Sequence, residues 1–409
     1  MTIAETADLL SDAAIDDPYP LFAALRAEGP VVWLPKHRAW FLSTHDEVST
    51  AFRDLRLSSD RLTPLETRVD DRRRELLAGT FELLRGWMVF HDPPDHERLR
   101  RPLSRTFTPK RIEALRPRVA EVVAELLAGL AAKGDEADLI ADFAFPLPAI
   151  VIAELLGVPP EDRDRFKTWS ELLAAIVFGA SNRDDQAEQA AAGSAQFVEY
   201  FGWLIDRYTD QPADNLVSAL IAVTRDDPQE AGLTPSELVG ACTLLLFGGH
   251  ETTTNLIGNS VRSLLHHPDQ LAVLRRDPDL LGPALEELHR YDGSTKVMVR
   301  IVGEAHERSG VEVAAGDTVL LGVASANRDP AAFVDADRLR LDRADPQRHL
   351  GFGYGIHFCL GAFLARLEAQ EAIGALLAAF PDLGPGERDG EWNDTLLGRG
   401  LRSLPVRLR

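Results

Sequence analysis

The stretch Phe352–Ala362, FGYGIHFCLGA, places one of the chain's two cysteines between glycines. The residues that follow, LGAFLARLEAQEAIGALLAAF, have helix-forming composition, so Cys359 stands near a helix N-terminus. Free amide groups and the helix dipole there favour an anion, here a thiolate. Gly351, Gly353, Gly355 and Gly361 permit tight turns and close backbone approach. A zinc site needs about four ligands, and no second thiol is near. A thiol nucleophile wants a base, but His357 alternates away from the sulfur. Two readings stay open: a small cysteine packed in a loop, and a sulfur directed at a cofactor metal. The glycines fit the second better.

Working outward, the middle of the chain carries a long helical pattern. TPSE at Thr234–Glu237 has the sequence of a capping box, with Pro235 at the first helical position. From there the pattern runs to about His266, roughly 48 Å at about 1.5 Å per residue. Its first half is apolar on every side, which implies burial. Gly248 and Gly249 then interrupt it, each costing about 1 kcal/mol relative to alanine. His250, Glu251, Thr252 and Thr253 follow. Either the helix has a packing notch whose threonine hydroxyls bond the preceding turn, or it opens beside a ligand. Most of residues 92–292 has helical spacing punctuated by Pro, Gly and Asp, as in RIEALRPRVAEVVAELLAGLAA and PAIVIAELLG. VVWLP and AWFLST flank a short KHR turn and predict a β-hairpin. Further strands are expected at VMVRIVG, VEVAAG, DTVLLGV and LPVRLR. The expected fold class is mainly α with a minor β region, folded as a single domain over 1–409.

The chain has 409 residues, 45% hydrophobic and 26% charged, an ordinary globular composition. Its 44 basic and 64 acidic residues give −20, a field that repels nucleic acid and anionic membrane surfaces. Neither is an expected partner. No signal peptide is read at the N-terminus, and the apolar runs fall far below the roughly 20 residues of a membrane span. Cys242 and Cys359 form no CxxC pair or disulfide framework, and Cys242 reads as core. A cytoplasmic protein is expected.

FGYGIHFCLG resembles the haem-binding loop of the cytochrome P-450 family, FxxGx[HR]xCxG, at every defined position. Glu287-Leu288-His289-Arg290 is similar to the family's ExxR, and Gly248 to Thr253 to its [AG]Gx[DE]TT. HDPPDHERLRRPLSRTFTP, from His91, resembles its third helix, and ANRDP at Ala326–Pro330 also matches. The likeness covers nearly the whole chain. It is strongest to soluble bacterial, ferredoxin-dependent members. One departure is Gly293–Arg300, GSTKVMVR, which lacks a proline common in relatives.

The resemblance implies the cytochrome P-450 fold, a triangular helical prism around a buried haem b (iron protoporphyrin IX). Cys359 is then the axial thiolate, whose electron donation favours O–O cleavage, with Phe352 packed on the sulfur side. His96, Arg100, Arg300 and His357 take the propionates. Glu287 and Arg290 form a structural pair. Thr252 steadies bound oxygen and Glu251 relays protons, while Thr253 is structural. The implied function is a monooxygenase inserting one atom of O2 into a small apolar substrate: a terpenoid, steroid, fatty acid or macrolide-like compound. Electrons come from NAD(P)H through a ferredoxin reductase and a ferredoxin, with no redox domain fused after the last strands, and the enzyme is monomeric. Phenol coupling or another non-hydroxylating oxidation, and a catalytically silent haem-binding recruitment module, are the alternatives.

By family position the pocket draws on Phe81–Val89, Leu172–Phe178, Leu244–Gly248, Thr295–Met298 and Leu396–Leu397, all largely apolar. Arg85 and Lys296 are the cations among them, and both are expected to reach solvent because a buried unpaired charge is costly. Between Arg98 and Arg118 stand eight basic residues against one acid, Glu113. Arg105, Lys110 and Arg111, with Arg366, are expected to form a docking face for an acidic ferredoxin.

Overall fold

The KHR turn closes the hairpin the sequence predicts. In the computed structural model, Val31–Leu34 pairs antiparallel with Ala39–Leu42, placing Val31 opposite Leu42. Ala39–Leu42 then runs parallel to Thr318–Leu321, which pairs antiparallel with Met298–Val302. Leu57–Ser58 completes this five-stranded sheet. Described are residues 2–162, 184–226 and 232–409, and positions 165, 168, 169, 172, 173 and 177.

Chain contacts divide the molecule into two compact units. The first comprises Met1–Leu57, Leu115–Pro148 and Glu251–Arg409 and carries the sheet. Phe22, Leu34, Phe41, Val297 and Leu320 form one of its cores, with Leu42, Phe52, Val319 and Leu321 in another. The strands expected at Val311–Val313 and Pro405–Arg407 also form here. The predicted segment beginning RIEAL is two helices, Pro109–Glu113 and Arg116–Ala132. Pro117 suits the first turn of a helix and disfavours a continuous one, which is why the break falls there.

In its described parts the second unit, Ser58–Ala114 and Ala149–His250, consists of helices and their connections, apart from Ser58 at the end of a strand. Gly86 and Gly240 meet almost backbone to backbone: a Cβ on Gly240 would stand 2.5 Å from the Gly86 Cα. Only glycine at both positions allows that approach. Trp87, 1% exposed, stacks on Phe90 and donates its indole N–H to Thr243 Oγ1 at 2.9 Å.

The long helix spans Pro235–His266, as its cap and proline predict. Thr234 N–H donates to Glu237 Oε2 at 2.8 Å and Glu237 N–H to Thr234 Oγ1 at 3.2 Å, the reciprocal pair of a capping box. The segment without the usual proline, Gly293–Arg300, is pinned by its backbone: Lys296 and Val297 N–H both donate to Leu397 O, at 2.8 and 3.2 Å.

Helix Leu281–Asp292 anchors the long loop that leads to the cysteine. The Arg290 guanidinium donates twice to Glu287, at 2.7 and 2.9 Å. Its remaining hydrogens reach three carbonyls, those of Asn327 (2.7 Å), Ala336 (2.8 Å) and Arg338 (3.1 Å). Arg343 Nε and Arg340 N–H then donate to Glu287, at 2.8 and 2.9 Å. Both Glu287 and Arg290 are buried, at 0% and 1% exposure. Removing one partner of such a pair typically costs about 3–5 kcal/mol. Arg290→Met should therefore lose about that much unfolding free energy in a denaturant titration. A loss below about 1 kcal/mol, the range of an exposed ion pair, would show that this pair does not hold the loop.

Candidate functional site

The cysteine loop is a chain of tight turns. Gly353 N–H donates to Leu350 O at 2.9 Å, Phe358 N–H to Gly355 O at 3.1 Å, and Cys359 N–H to Phe352 O at 2.9 Å. Gly353 and Gly355 have φ of 70° and 71°, the left-handed region in which side chains are strained. A Cβ on Gly355 would also stand 2.9 Å from Phe52 O. Helix Ala362–Ala379 begins three residues after Cys359. Phe352, His357 and Cys359 all keep partial exposure, whereas Leu350 and Ala362 on either side are buried. Cys242 differs: burial alone pushes its thiol up to about 12, as befits an inert core residue.

Arg300 is drawn toward the same loop. Its guanidinium lies 5.9 Å from the Phe52 ring centroid, and Phe52 borders Gly353 and Gly355. Its Nη1 donates to Val299 O at 2.9 Å. In the helical unit, His96 and Arg100 share one face of helix Asp95–Thr106, one turn apart, the first buried and the second half-buried. The first unit thus gathers Cys359, Phe352, His357 and Arg300, and the second carries His96 and Arg100.

In the long helix, Gly248 and Thr252 stand four residues apart and both are exposed, within a stretch otherwise buried on most sides. A Cβ at Gly248 would meet nothing within 4 Å, whereas one at Gly249 would press Ile152 at 3.3 Å. Thr253 is buried, in keeping with a structural role. Burial pushes the Glu251 carboxyl up to about 7, so it exchanges a proton near neutrality.

These features fit an iron protoporphyrin. Cys359, half-exposed, sits on a loop of fixed turns three residues before a helix, with its N–H bonded to the Phe352 carbonyl. Within the first unit, Cys359 could ligate the iron, and Arg300 and His357 are cations that could meet its propionates.

The sequence reading missed a cluster around Phe352, made by Glu286, His289, His349 and Arg366. Only the spacing of Glu286 and His289, three apart on a helix, hinted at it. Lys296 corrects an expectation: it does not reach solvent but is 2% exposed. Burial, and then the nearby Arg399, lower its ammonium to about 8. Its backbone pairing with Leu397 and Ala324 carries the side chain inward. Arg85 is half-exposed, as expected, and pairs with Glu66.

The basic segment is less free than its composition suggests. Arg111 pairs with Asp214, Arg98 with Glu237, Arg116 with Glu371, and Arg366 with Glu286. Of the residues expected to line a pocket, Phe81, Leu84 and Trp87 are interior, at 1% exposure or less. Ile176 and Phe178 lie outside the described residues. A cavity of about 560 Å³ in the sheet-bearing unit has none of the expected site residues in its walls. Its buried charges are satisfied internally: Arg328 lies between the Tyr19 and Tyr291 rings, and Arg399 pairs with Asp292 at 2.6 Å.

Comparison with known proteins agrees with this chemistry. The family profile described as Cytochrome P450 matches residues 155–388. The chain is 42% identical to a vitamin D(3) 25-hydroxylase of Pseudonocardia autotrophica, over 98% of this chain and 96% of the relative. It is 43% identical to the cytochrome P450 monooxygenase PikC of Streptomyces venezuelae, over 96% and 91%. It also superposes on P450BioI, solved with a hexadec-9Z-enoic acid-ligated acyl carrier protein. There the TM-score is 0.88 at 34% identity, covering 97% of this chain and all of that one. Among the described residues, no helix is long and apolar enough to cross a membrane.

The raised Glu251 carboxyl has a stability signature. Between about 4.5 and about 7 the folded chain holds a proton that the unfolded chain has lost, so this group subtracts stability as pH rises through that window. Glu251→Gln removes the penalty. Its melting temperature relative to the parent should climb from pH 4.5 to pH 7 and then level off. A difference independent of pH would show that the carboxyl is not held protonated.

Proposed function

The chain belongs to the cytochrome P450 family and is a haem-binding monooxygenase, and on that premise we propose that it hydroxylates an unactivated C–H bond of a mostly apolar substrate, with Cys359 as the residue whose thiolate would hold the haem iron. The observation that carries this reading is the cysteine loop. Its turns fix the Cys359 backbone to Phe352 through one 2.9 Å hydrogen bond and leave Cys359 partly exposed. Bound haem supplies oxygen activation and insertion, while the protein supplies ligation, protons and orientation.

The other residues have separable tasks. Arg300 and His357 near the loop, and His96 and Arg100 on their helix, bind the propionates by charge-assisted hydrogen bonds. Glu251, with its carboxyl near 7, takes a proton from solvent and passes it inward. The Thr252 hydroxyl, on the open face of the long helix, would offer a hydrogen bond to the oxygen chemistry that haem supplies when bound. Electrons arrive from NAD(P)H through a ferredoxin reductase and a ferredoxin, with Arg105 and Lys110 contributing to the docking charge. The chain acts as one domain over 1–409, as a cytoplasmic monomer.

The substrate reading draws on two supports. Met298 and Leu396, which keep partial exposure, and Leu244 and Leu245 are apolar groups in segments that border the family's pocket. The relatives' names point to vitamin D(3) and to a hexadecenoyl chain, both largely hydrocarbon. A terpenoid, steroid, fatty acid or macrolide-like compound fits that chemistry.

Thr252→Ala tests the proton path. The variant should keep its haem spectrum and substrate binding, while product formed per NAD(P)H consumed falls about tenfold or more and peroxide rises to match. Acid–base groups contribute about 10²–10⁴-fold, so a shift of this size is well within reach. An unchanged product-to-NAD(P)H ratio would remove Thr252 from the mechanism.

A further inference from the structure

Phe352 is gripped by groups that lie outside the cysteine motif. The Arg366 guanidinium stands 4.3 Å from the Phe352 ring centroid. It is held there by Glu286: Nε donates to Oε1 at 2.6 Å and Nη2 to Oε2 at 2.9 Å. The buried His289 ring meets Phe352 edge-on, with centroids 4.4 Å apart at 77°.

His349 closes the cluster. Its Nδ1 accepts the Gly351 N–H at 3.0 Å, so its Nε2 carries the hydrogen directed at Glu286 Oε2, 3.1 Å away. Burial works to raise the Glu286 carboxyl, but hydrogen bonds from Arg366 and His349 outweigh it and hold the group well below the ordinary range. Glu286 is therefore a fixed anion between two donors.

His289 is placed by shape rather than by hydrogen bonds. Neither ring nitrogen has a hydrogen-bond partner among the described residues, and burial keeps the ring neutral. A Cβ on Gly351 would stand 2.6 Å from His289 Nε2, and one on Gly293 would stand 2.7 Å from Cδ2. Leaving two buried nitrogens unpaired costs free energy, and what the ring gains is contact with Phe352 and His349. The same Phe352 accepts the Cys359 N–H on its carbonyl. Ring and sulfur backbone are thus one mechanical unit.

We propose that Glu286, Arg366 and His289 are positioning residues that lock the Phe352 ring beside the cysteine sulfur and thereby set the reduction potential of the bound haem. The inference rests on the reading that Phe352 packs on the sulfur side of that haem. Hydrogen bonding to the ligand sulfur and solvent exposure both tune such potentials. A fixed ring excludes water from the thiolate. A released ring admits water, which hydrogen-bonds the sulfur, withdraws electron density from the iron and raises the potential.

Charge alone predicts a different pattern. A nearby cation favours the more negative, reduced state, so losing Arg366 would lower the potential and neutralising Glu286 would raise it. The lock predicts a rise for both.

The test is an anaerobic, dye-coupled reductive titration of the purified holoenzyme and four variants. Arg366→Gln and Glu286→Gln should each increase the one-electron reduction equilibrium constant about tenfold, or about 59 mV. Arg366→Lys keeps the charge but loses the planar fork. It should also rise, and it serves if Arg366→Gln fails to hold haem. Opposite signs for Arg366→Gln and Glu286→Gln, or no change in Arg366→Lys, would overturn the lock in favour of simple charge. Phe352→Leu checks the premise and should rise at least as far. If that variant leaves the potential unchanged, Phe352 does not shield the sulfur and the lock falls with its premise.

Discussion

Five consecutive residues, Glu286 to Arg290, fix the approach to the cysteine from two directions. Helical spacing sends Glu287 and Arg290 to one face and Glu286 and His289 to another. The first pair holds the carbonyls of Asn327, Ala336 and Arg338 and the side chain of Arg343, far along the loop before the cysteine. The second pair reaches Phe352, directly from His289 and through Arg366 from Glu286. A long loop without regular structure loses much conformational entropy on ordering. Here a single short helix offsets that loss with buried, fully used hydrogen-bond donors. The sulfur position depends on it.

The long helix makes the complementary compromise. Two adjacent glycines weaken its centre, and Glu251 is held where its charge is disfavoured. Neither feature serves stability. Gly248 and Thr252 open one face of the helix, and the Glu251 carboxyl is poised near 7, where it both accepts and releases a proton. Local rules are broken where chemistry is to be done, as is usual at functional sites.

Much of the fold was legible because its signals are local. The capping box, the proline at the helix start and the KHR turn each announce an element by chemistry within a few residues. The cysteine stretch was legible for the same reason. What escaped depends on distant partners. Lys296 was expected in solvent because a buried unpaired charge is costly, yet its backbone hydrogen bond to Leu397 goes with an inward side chain regardless. Arg366 read as a docking charge because Glu286, eighty residues earlier, gives no sign in sequence of being its partner.

The central claim is that Cys359 supplies the thiolate to haem, and the spectrum of the reduced carbon monoxide complex tests it most directly. The parent protein should show the red-shifted Soret band of a thiolate ligand. Cys359→His should retain haem, by its absorbance and pyridine haemochrome, but lose that band completely. A thiolate-type band persisting in Cys359→His would contradict the account.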